Sequence, residues 1–219
     1  MAITRTLYVV THPEARHHVE GRVGGWHDSQ LTARGEHQAE LIAAELRLRI
    51  PQAASAQVFT SDLARTHMTA EVITARLGGR AIDVPGLREK SYGIAEGRGQ
   101  SWLDERFVFP PVPEESFDHT VRLDHFEGID GSESRRSAGA RVYAAVEEIL
   151  AQQASHQVVV THGFAHTFVI GRWLELPLEA MGRATFAARS GCITELTEDD
   201  VFGNRTLHSL AAVGHLGDS

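Results

Sequence analysis

The sequence predicts an α/β protein, a three-layer α/β/α sandwich on a mostly parallel central sheet, and three observations carry that prediction. Short apolar runs alternate with amphipathic segments, and the succession strand, helix, strand, helix places parallel strands between two helical layers. Two of the runs, Leu7-Tyr8-Val9-Val10 and Val158-Val159-Val160, are apolar without alternation, as strands buried on both faces are. Each runs into a threonine and a histidine, Thr11-His12 and Thr161-His162, so two imidazoles arrive at the carboxyl edge of one sheet, where open α/β sheets bind ligands. With 219 residues, 42% of them hydrophobic, the chain can bury one sizeable core, and a single domain over 1–219 is expected.

The elements follow in order. Residues 14–30 are rich in glycine, histidine and charge and are too long for an idle connection, so they form a candidate binding loop. Thr32 caps a helix whose apolar spacing runs through Ala39, Ile42, Ala43 and Leu46 until Pro51 stops it. Residues 57–61 read as a strand. Asp62 is expected to cap the next helix, from Leu63 through Met68, Val72 and Ile73 to Leu77, which Gly78-Gly79 ends. A short strand over 81–84 leads to Leu87-Arg88-Glu89. From 98 to 132 the pattern dissolves into prolines, aromatics and charges, including Pro110-Pro111-Val112-Pro113, and reads as an irregular, lid-like excursion over the site rather than a second domain. Its aromatics Trp102, Phe107, Phe109 and Phe117, with Trp26, could wall a pocket, but local core is the favoured reading. A helix resumes near Glu133 and runs to about Gln153. The second histidine strand, a helix over 166–174 and closing strands over 193–196 and 206–213 complete the chain.

A formal charge of −8 disfavours nucleic acid or an anionic membrane as a partner, so an anionic ligand must be held by local cations against the field of the whole molecule. Those cations are nearly all arginine, since Lys90 is the only lysine. The single Cys192 rules out an internal disulfide and reads as core at a strand start. No apolar stretch approaches the roughly 20 residues that cross a bilayer, and the first strand begins without an apolar leader, which points to the cytoplasm. A homo-oligomer is compatible with the sequence.

Paired strand-end histidines suggest a reacting centre in which one ring is the nucleophile and the other stabilises charge. Around them stand, in order, Thr11-His12-Pro13-Glu14, Gly25-Trp26-His27-Asp28-Ser29-Gln30-Leu31-Thr32, Ser61-Asp62-Leu63-Ala64-Arg65-Thr66, Leu87-Arg88-Glu89, Tyr92-Gly93, Glu96-Gly97, Glu133-Ser134 and Thr161-His162-Gly163. This succession resembles the histidine phosphatase superfamily, the group of phosphoglycerate mutases and broad phosphomonoesterases, from Leu7 to about Leu196. The resemblance implies a small phosphorylated substrate, no metal or cofactor, and a His12 that is transiently phosphorylated. It further implies Arg65, His162 and Gly163 in the phosphate pocket and Glu89 as proton donor. By register His18 stands at a polar phosphate contact and Arg22 at the family's loop arginine. The chemistry is coherent: an imidazole nitrogen attacks phosphorus and leaves later, while the planar guanidinium of Arg65 and, if protonated, His162 as a second cation hold the non-bridging oxygens. Taken alone, Glu89 reads as a surface carboxylate between Arg88 and Lys90, and Arg65 as a surface arginine paired with Asp62.

One departure stands out. The family's first motif is Arg-His-Gly, and here it is Thr11-His12-Pro13. Losing a charged hydrogen bond to the phosphoryl group would cost about 2–4 kcal/mol of transition-state stabilisation, roughly two to three orders of magnitude in rate. Pro13 also removes a backbone N–H. Thr11, expected among the substrate-binding residues, keeps a hydroxyl donor but no charge, and Arg16, His17, His18 and Arg22 in the following loop are the nearby groups expected to compensate. Three readings follow: a metal-independent phosphatase, with mutase activity as its variant; a catalytically impaired member that binds phosphorylated ligands; and a metal hydrolase using His162 and His166 at i, i+4, with His12, His17 and His18 converging.

Overall fold

The computed structural model describes residues 2–54, 56–110 and 118–217. In chain order the elements are β1 (Ile3–Thr11), α1 (Arg16–Val19), α2 (Ala33–Arg49), β2 (Ala56–Thr60), α3 (Ala64–Leu77), β3 (Ala81–Asp83), α4 (Gln100–Asp104), α5 (His119–Asp124), α6 (Arg135–Leu150), β4 (His156–Thr161), α7 (Gly163–Trp173), β5 (Ile193–Asp199) and β6 (Arg205–Ala212). The strands form one sheet in the order β3-β2-β4-β1-β5-β6. The first four in that order run parallel, and β5 and β6 are antiparallel additions at one side.

Strand pleating divides the core. Tyr8, Val10, Val158 and Val160 pack with Ile42 and Leu46 of α2 and Ala70 and Ile73 of α3, whereas Leu7, Val9 and Val159 pack on the other face with Val142 and Val146 of α6 and Phe168 and Trp173 of α7. Burial on both faces is why these strands show no polar alternation. The pairing of β1 with β4 joins Val9 to Val159 and Thr11 to Thr161, so His12 and His162 leave adjacent strands at the same level.

Helix starts follow local hydrogen bonding. Thr32 caps α2 as expected, its Oγ1 accepting from the Gly35 N–H at 3.0 Å, and Ser134 caps α6 by accepting from the Ser137 N–H. Gly35 is required there, because a Cβ would fall 1.9 Å from the Glu14 carbonyl oxygen. Asp62 does not cap α3. Its carboxylate is taken by the Arg88 guanidinium in a two-pronged pair at 2.7 and 2.6 Å, a stronger partner than a helix N–H. α7 begins at Gly163 rather than His166, since its first turn is capped by the Glu89 carboxylate. The 98–132 excursion is irregular but not coreless. Val23, Ala95, Leu103 and Ile129 form a small cluster against which Trp102 and Phe107 pack, whereas Phe109 is exposed. Pro111, Val112, Pro113 and Phe117 lie outside the described residues. Among the described residues, no helix is long and apolar enough to cross a membrane.

Candidate active site

The ends of β1 and β4 place His12 and His162 with ring centroids 5.2 Å apart, edge to face. The His12 backbone N–H donates to the Thr161 carbonyl, which ties the two strand ends together. At the ring, Nδ1–H donates to the Pro13 carbonyl at 2.9 Å and Nε2 accepts from the Arg65 Nε–H at 3.1 Å. A carbonyl can only accept and a guanidinium can only donate, so the proton is on Nδ1 and the lone pair on Nε2. Burial first, then Arg65, hold the His12 pKa well below the ordinary histidine value, so the ring is neutral.

Arg65 lies in the first turn of α3 and is buried. Besides His12 it donates to the His27 carbonyl at 2.9 Å and the Gly25 carbonyl at 2.7 Å, so the 24–28 turn wraps around its guanidinium. Gly25 has φ 55°, the left-handed backbone that this wrap needs and that glycine adopts freely. Burial lowers Arg65 to about 10, which leaves it charged at neutral pH. Asp62, its partner in the surface reading, is committed to Arg88.

The short α1 turn delivers His17 and His18 to the site. His18 stacks on His12 with centroids 5.4 Å apart, and its Nδ1 accepts from the Ala15 N–H, which makes Nε2 the protonated nitrogen of the neutral ring. His17 is paired with Ser29 Oγ at 2.6 Å, and burial pushes it down to about 3. His162 Nε2 meets Ser61 Oγ at 3.0 Å, while its buried Nδ1 has no hydrogen-bond partner among the described residues. Burial and the Arg65 charge lower its pKa well below the ordinary value, so without a bound anion the ring is neutral.

Glu89 is turned inward. Its oxygens accept from the N–H groups of Phe164 at 3.0 Å, Ala165 at 3.1 Å and Lys90 at 3.1 Å. Burial raises its pKa, and those hydrogen bonds and Arg65 oppose the rise without cancelling it. Its flanking cations are used elsewhere: Arg88 on Asp62, and Lys90, almost fully buried, on Glu127. Trp26 donates its indole N–H to the Glu89 carbonyl at 2.7 Å, so it supports Glu89 rather than lining a substrate pocket.

These groups surround a cleft of about 350 Å³ lined by His12, His17, His18, Arg22, Arg65, Glu89 and Gly163, together with Tyr92, Gln100 and Leu103. A smaller hollow of about 120 Å³ shares His12, His18 and Gly163 with it and adds Thr11, Ala188, Arg189 and Ser190. Arg22 donates to Glu20 and to the Gly97 carbonyl. Arg16 is not brought to the cleft: the α1 turn directs it to a separate hollow with Glu20, His27, Asp28 and Gln30. Thr11 is buried, and its hydroxyl bonds to the backbone of Arg189 and Cys192. Sequence reading missed Ser61, Tyr92, Gln100 and Arg189. Ser61 and Tyr92 had a signal, since they stand in the 61–66 and Tyr92-Gly93 motifs, but neither was given a role there.

Ring nitrogens of His12, His17 and His18 lie within 4.8 Å of one another, a spacing that a metal ion can exploit. The fit is poor, because the charged Arg65 guanidinium stands against His12 Nε2, where it repels a cation, and the His18 Nδ1 lone pair is committed to a backbone N–H. The Nε2 atoms of His162 and His166 are bound to Ser61 and Thr194, and among the described residues neither belongs to a cluster of three or more His, Cys, Asp or Glu spaced to hold a metal ion.

Residues 7–206 match the family profile of the histidine phosphatase superfamily (branch 1). The chain belongs to that superfamily. A probable phosphoglycerate mutase GpmB of Serratia proteamaculans is 33% identical over 180 residues, covering 81% of this chain and 78% of that protein. Its counterpart in Photorhabdus laumondii is 34% identical over the same share of each. In fold, the chain is similar to Bacillus stearothermophilus YhfR, with a TM-score of 0.76 at 24% identity over 97% of this chain and 99% of that one. It is also similar to a mycobacterial glucosyl-3-phosphoglycerate phosphatase, with a TM-score of 0.71 at 22% identity over 95% and 99%. Membership of a superfamily of phosphatases and mutases supports a phosphoryl-transfer enzyme.

Proposed function

We propose that the protein hydrolyses a small phosphate monoester through a phosphohistidine on His12. The observation that supports this most is the fixed tautomer of His12, whose lone pair on Nε2 faces Arg65 while its proton is held by Pro13. In the first step Nε2 bonds to phosphorus, the P–O bond to the leaving group breaks, and the proton of a neutral Glu89 passes to the departing alkoxide. The resulting phosphoimidazolium keeps its Nδ1 proton, which the Pro13 carbonyl continues to accept. In the second step water bonds to phosphorus, its proton goes to the Glu89 carboxylate, and the P–N bond breaks. Burial raises the Glu89 pKa above that of an exposed carboxylate, the direction the donor role requires. Arg65, and His162 once a bound dianion favours its protonated form, offset the charge on the non-bridging oxygens.

The test is hydrolysis of 4-nitrophenyl phosphate in EDTA by the wild type and by His12→Ala, with alkaline-quench trapping of the phosphoenzyme. Metal-independent turnover, a trapped acid-labile phosphate and an inactive variant are expected. An active His12→Ala enzyme would refute the mechanism, and loss of turnover in EDTA would favour the metal reading. The mutase reading draws on the names of the curated relatives, and interconversion of phosphoglycerates faster than release of inorganic phosphate would establish it.

A further inference from the structure

Three arginines line the two joined hollows, and they differ in what they have left to give. Arg65 spends donors on His12, Gly25 and His27. Arg22 spends them on Glu20 and Gly97. Arg189, exposed at the rim beside His12, His18 and Gly163, makes no side-chain hydrogen bond or ion pair among the described residues.

The backbone that carries Arg189 is held tightly to the nucleophile's strand. Thr11 Oγ1 donates to the Arg189 carbonyl at 2.5 Å and accepts from the Cys192 N–H at 3.1 Å. The Thr11 N–H donates to the Cys192 carbonyl at 3.2 Å, and the Gly191 N–H donates to the His12 carbonyl at 3.2 Å. A side chain with no partner among the described residues thus stands on a backbone that is anchored to Thr11 and to His12 itself.

We propose that Arg189 is a phosphoryl-binding residue of this cleft, and that Thr11 is the positioning residue that holds it beside His12. This deepens the phosphohydrolase reading and rests on it. A guanidinium with all its N–H donors uncommitted can take two oxygens of a phosphoryl group at once, and near a largely neutral set of imidazoles it supplies charge that the site otherwise draws mainly from Arg65. Its exposure carries little cost in the empty site, because water solvates it until an anion arrives.

The experiment compares wild type, Arg189→Ala, Arg189→Lys and, as control on the same segment, the exposed Arg183→Ala. Kinetics on 4-nitrophenyl phosphate and glycerol phosphate are combined with calorimetric binding of orthovanadate. For Arg189→Ala, kcat/KM should fall about 30- to 300-fold, by a similar factor for both esters, and vanadate affinity should fall about tenfold or more. Arg189→Lys should recover part of the loss, and Arg183→Ala should match wild type. Thermal midpoints should not move for Arg189→Ala, since its side chain has no partner to lose. Arg189→Ala within threefold of wild type in both readouts would overturn the inference while leaving phosphatase activity standing. A loss confined to one ester would also overturn it, by making Arg189 a leaving-group contact. A wild type that turns over neither ester, but whose vanadate affinity still depends on Arg189, would refute the hydrolase reading and keep the inference.

Discussion

Thr11→Val isolates what the threonine hydroxyl does. Thr11 is 3% exposed, and valine keeps its shape while removing one donor and one acceptor. The two backbone groups released are the Arg189 carbonyl and the Cys192 N–H, and these retain each other at 3.2 Å. The loss is therefore smaller than that of two orphaned buried groups, and about 1–2 kcal/mol is expected. For a chain of this length that lowers the thermal midpoint by about 2–8 °C. Urea unfolding and calorimetry read the stability, and kinetics on 4-nitrophenyl phosphate read the consequence at the site. If the hydroxyl acts by holding Arg189, Thr11→Val lowers kcat/KM by itself but adds little in an Arg189→Ala background, a double-mutant cycle with strong coupling. Thr11→Ser should restore most of both losses. Equal stability and equal activity in Thr11→Val would refute the clamp, and fully multiplicative rate effects would show that Thr11 acts independently of Arg189.

Glu89→Gln cannot donate a proton, so hydrolysis of alkyl phosphates should drop by about 10²–10⁴ while the phosphorylation burst with 4-nitrophenyl phosphate falls far less. The alkaline limb of the pH profile should vanish with it, and an unchanged limb would assign that ionisation elsewhere. Arg65→Lys keeps the charge but loses the fork to His12, Gly25 and His27, and a fall in kcat/KM of at least about 10²-fold is expected, with near-wild-type kinetics counting against the fork. Stability should decline in mild acid. An unfolded histidine binds its proton near 6.5, whereas folded His17 stays neutral down to about 3, so the unfolded state holds more protons across that window. Its stabilisation is complete above 6.5 and falls as pH drops, by about 2 kcal/mol at pH 5 for His17 alone, with His12 and His162 acting in the same direction. An unfolding free energy that is flat between pH 7.5 and 5 would contradict this. Thr11→Arg should reduce both activity and stability, and a gain in activity would mean that the pocket lacks only its arginine.

The layers of the fold were legible because each is written in local periodicity. Leu7 to Val10 and Val158 to Val160 name the buried strands, and Thr32 names a helix start. What was not legible depended on long-range competition for polar groups. Asp62 looks like a cap until Arg88, 26 residues on, takes its carboxylate. His166 looks like a helix start until Glu89 reaches across to cap Phe164 and Ala165. Within the site, His12, Arg65, Glu89 and His162 could be named from motif order, but the neutral state of His162 is a consequence of burial that no motif spells out. Arg189 carries no local pattern. It reaches the cleft only because the 189–192 backbone is bonded to Thr11 and His12, some 178 residues earlier in the chain.

The altered first motif is better understood by atoms than by residue names. Pro13 forfeits an N–H, yet the atom that matters to His12 is the carbonyl, which proline retains and which fixes the proton on Nδ1. Thr11 forfeits a charge, yet its hydroxyl fastens the segment on which an uncommitted arginine sits. Had the motif simply decayed, the hydroxyl would have no reason to satisfy two backbone groups, and Arg65 would have no reason to keep a buried guanidinium aimed at His12 Nε2 at the cost of desolvating it. A buried cation retained against a neutral imidazole is costly to stability and is offset when an anion arrives between them, which is what the hydrolase and the ligand-binding readings share and what a merely decayed motif would lack.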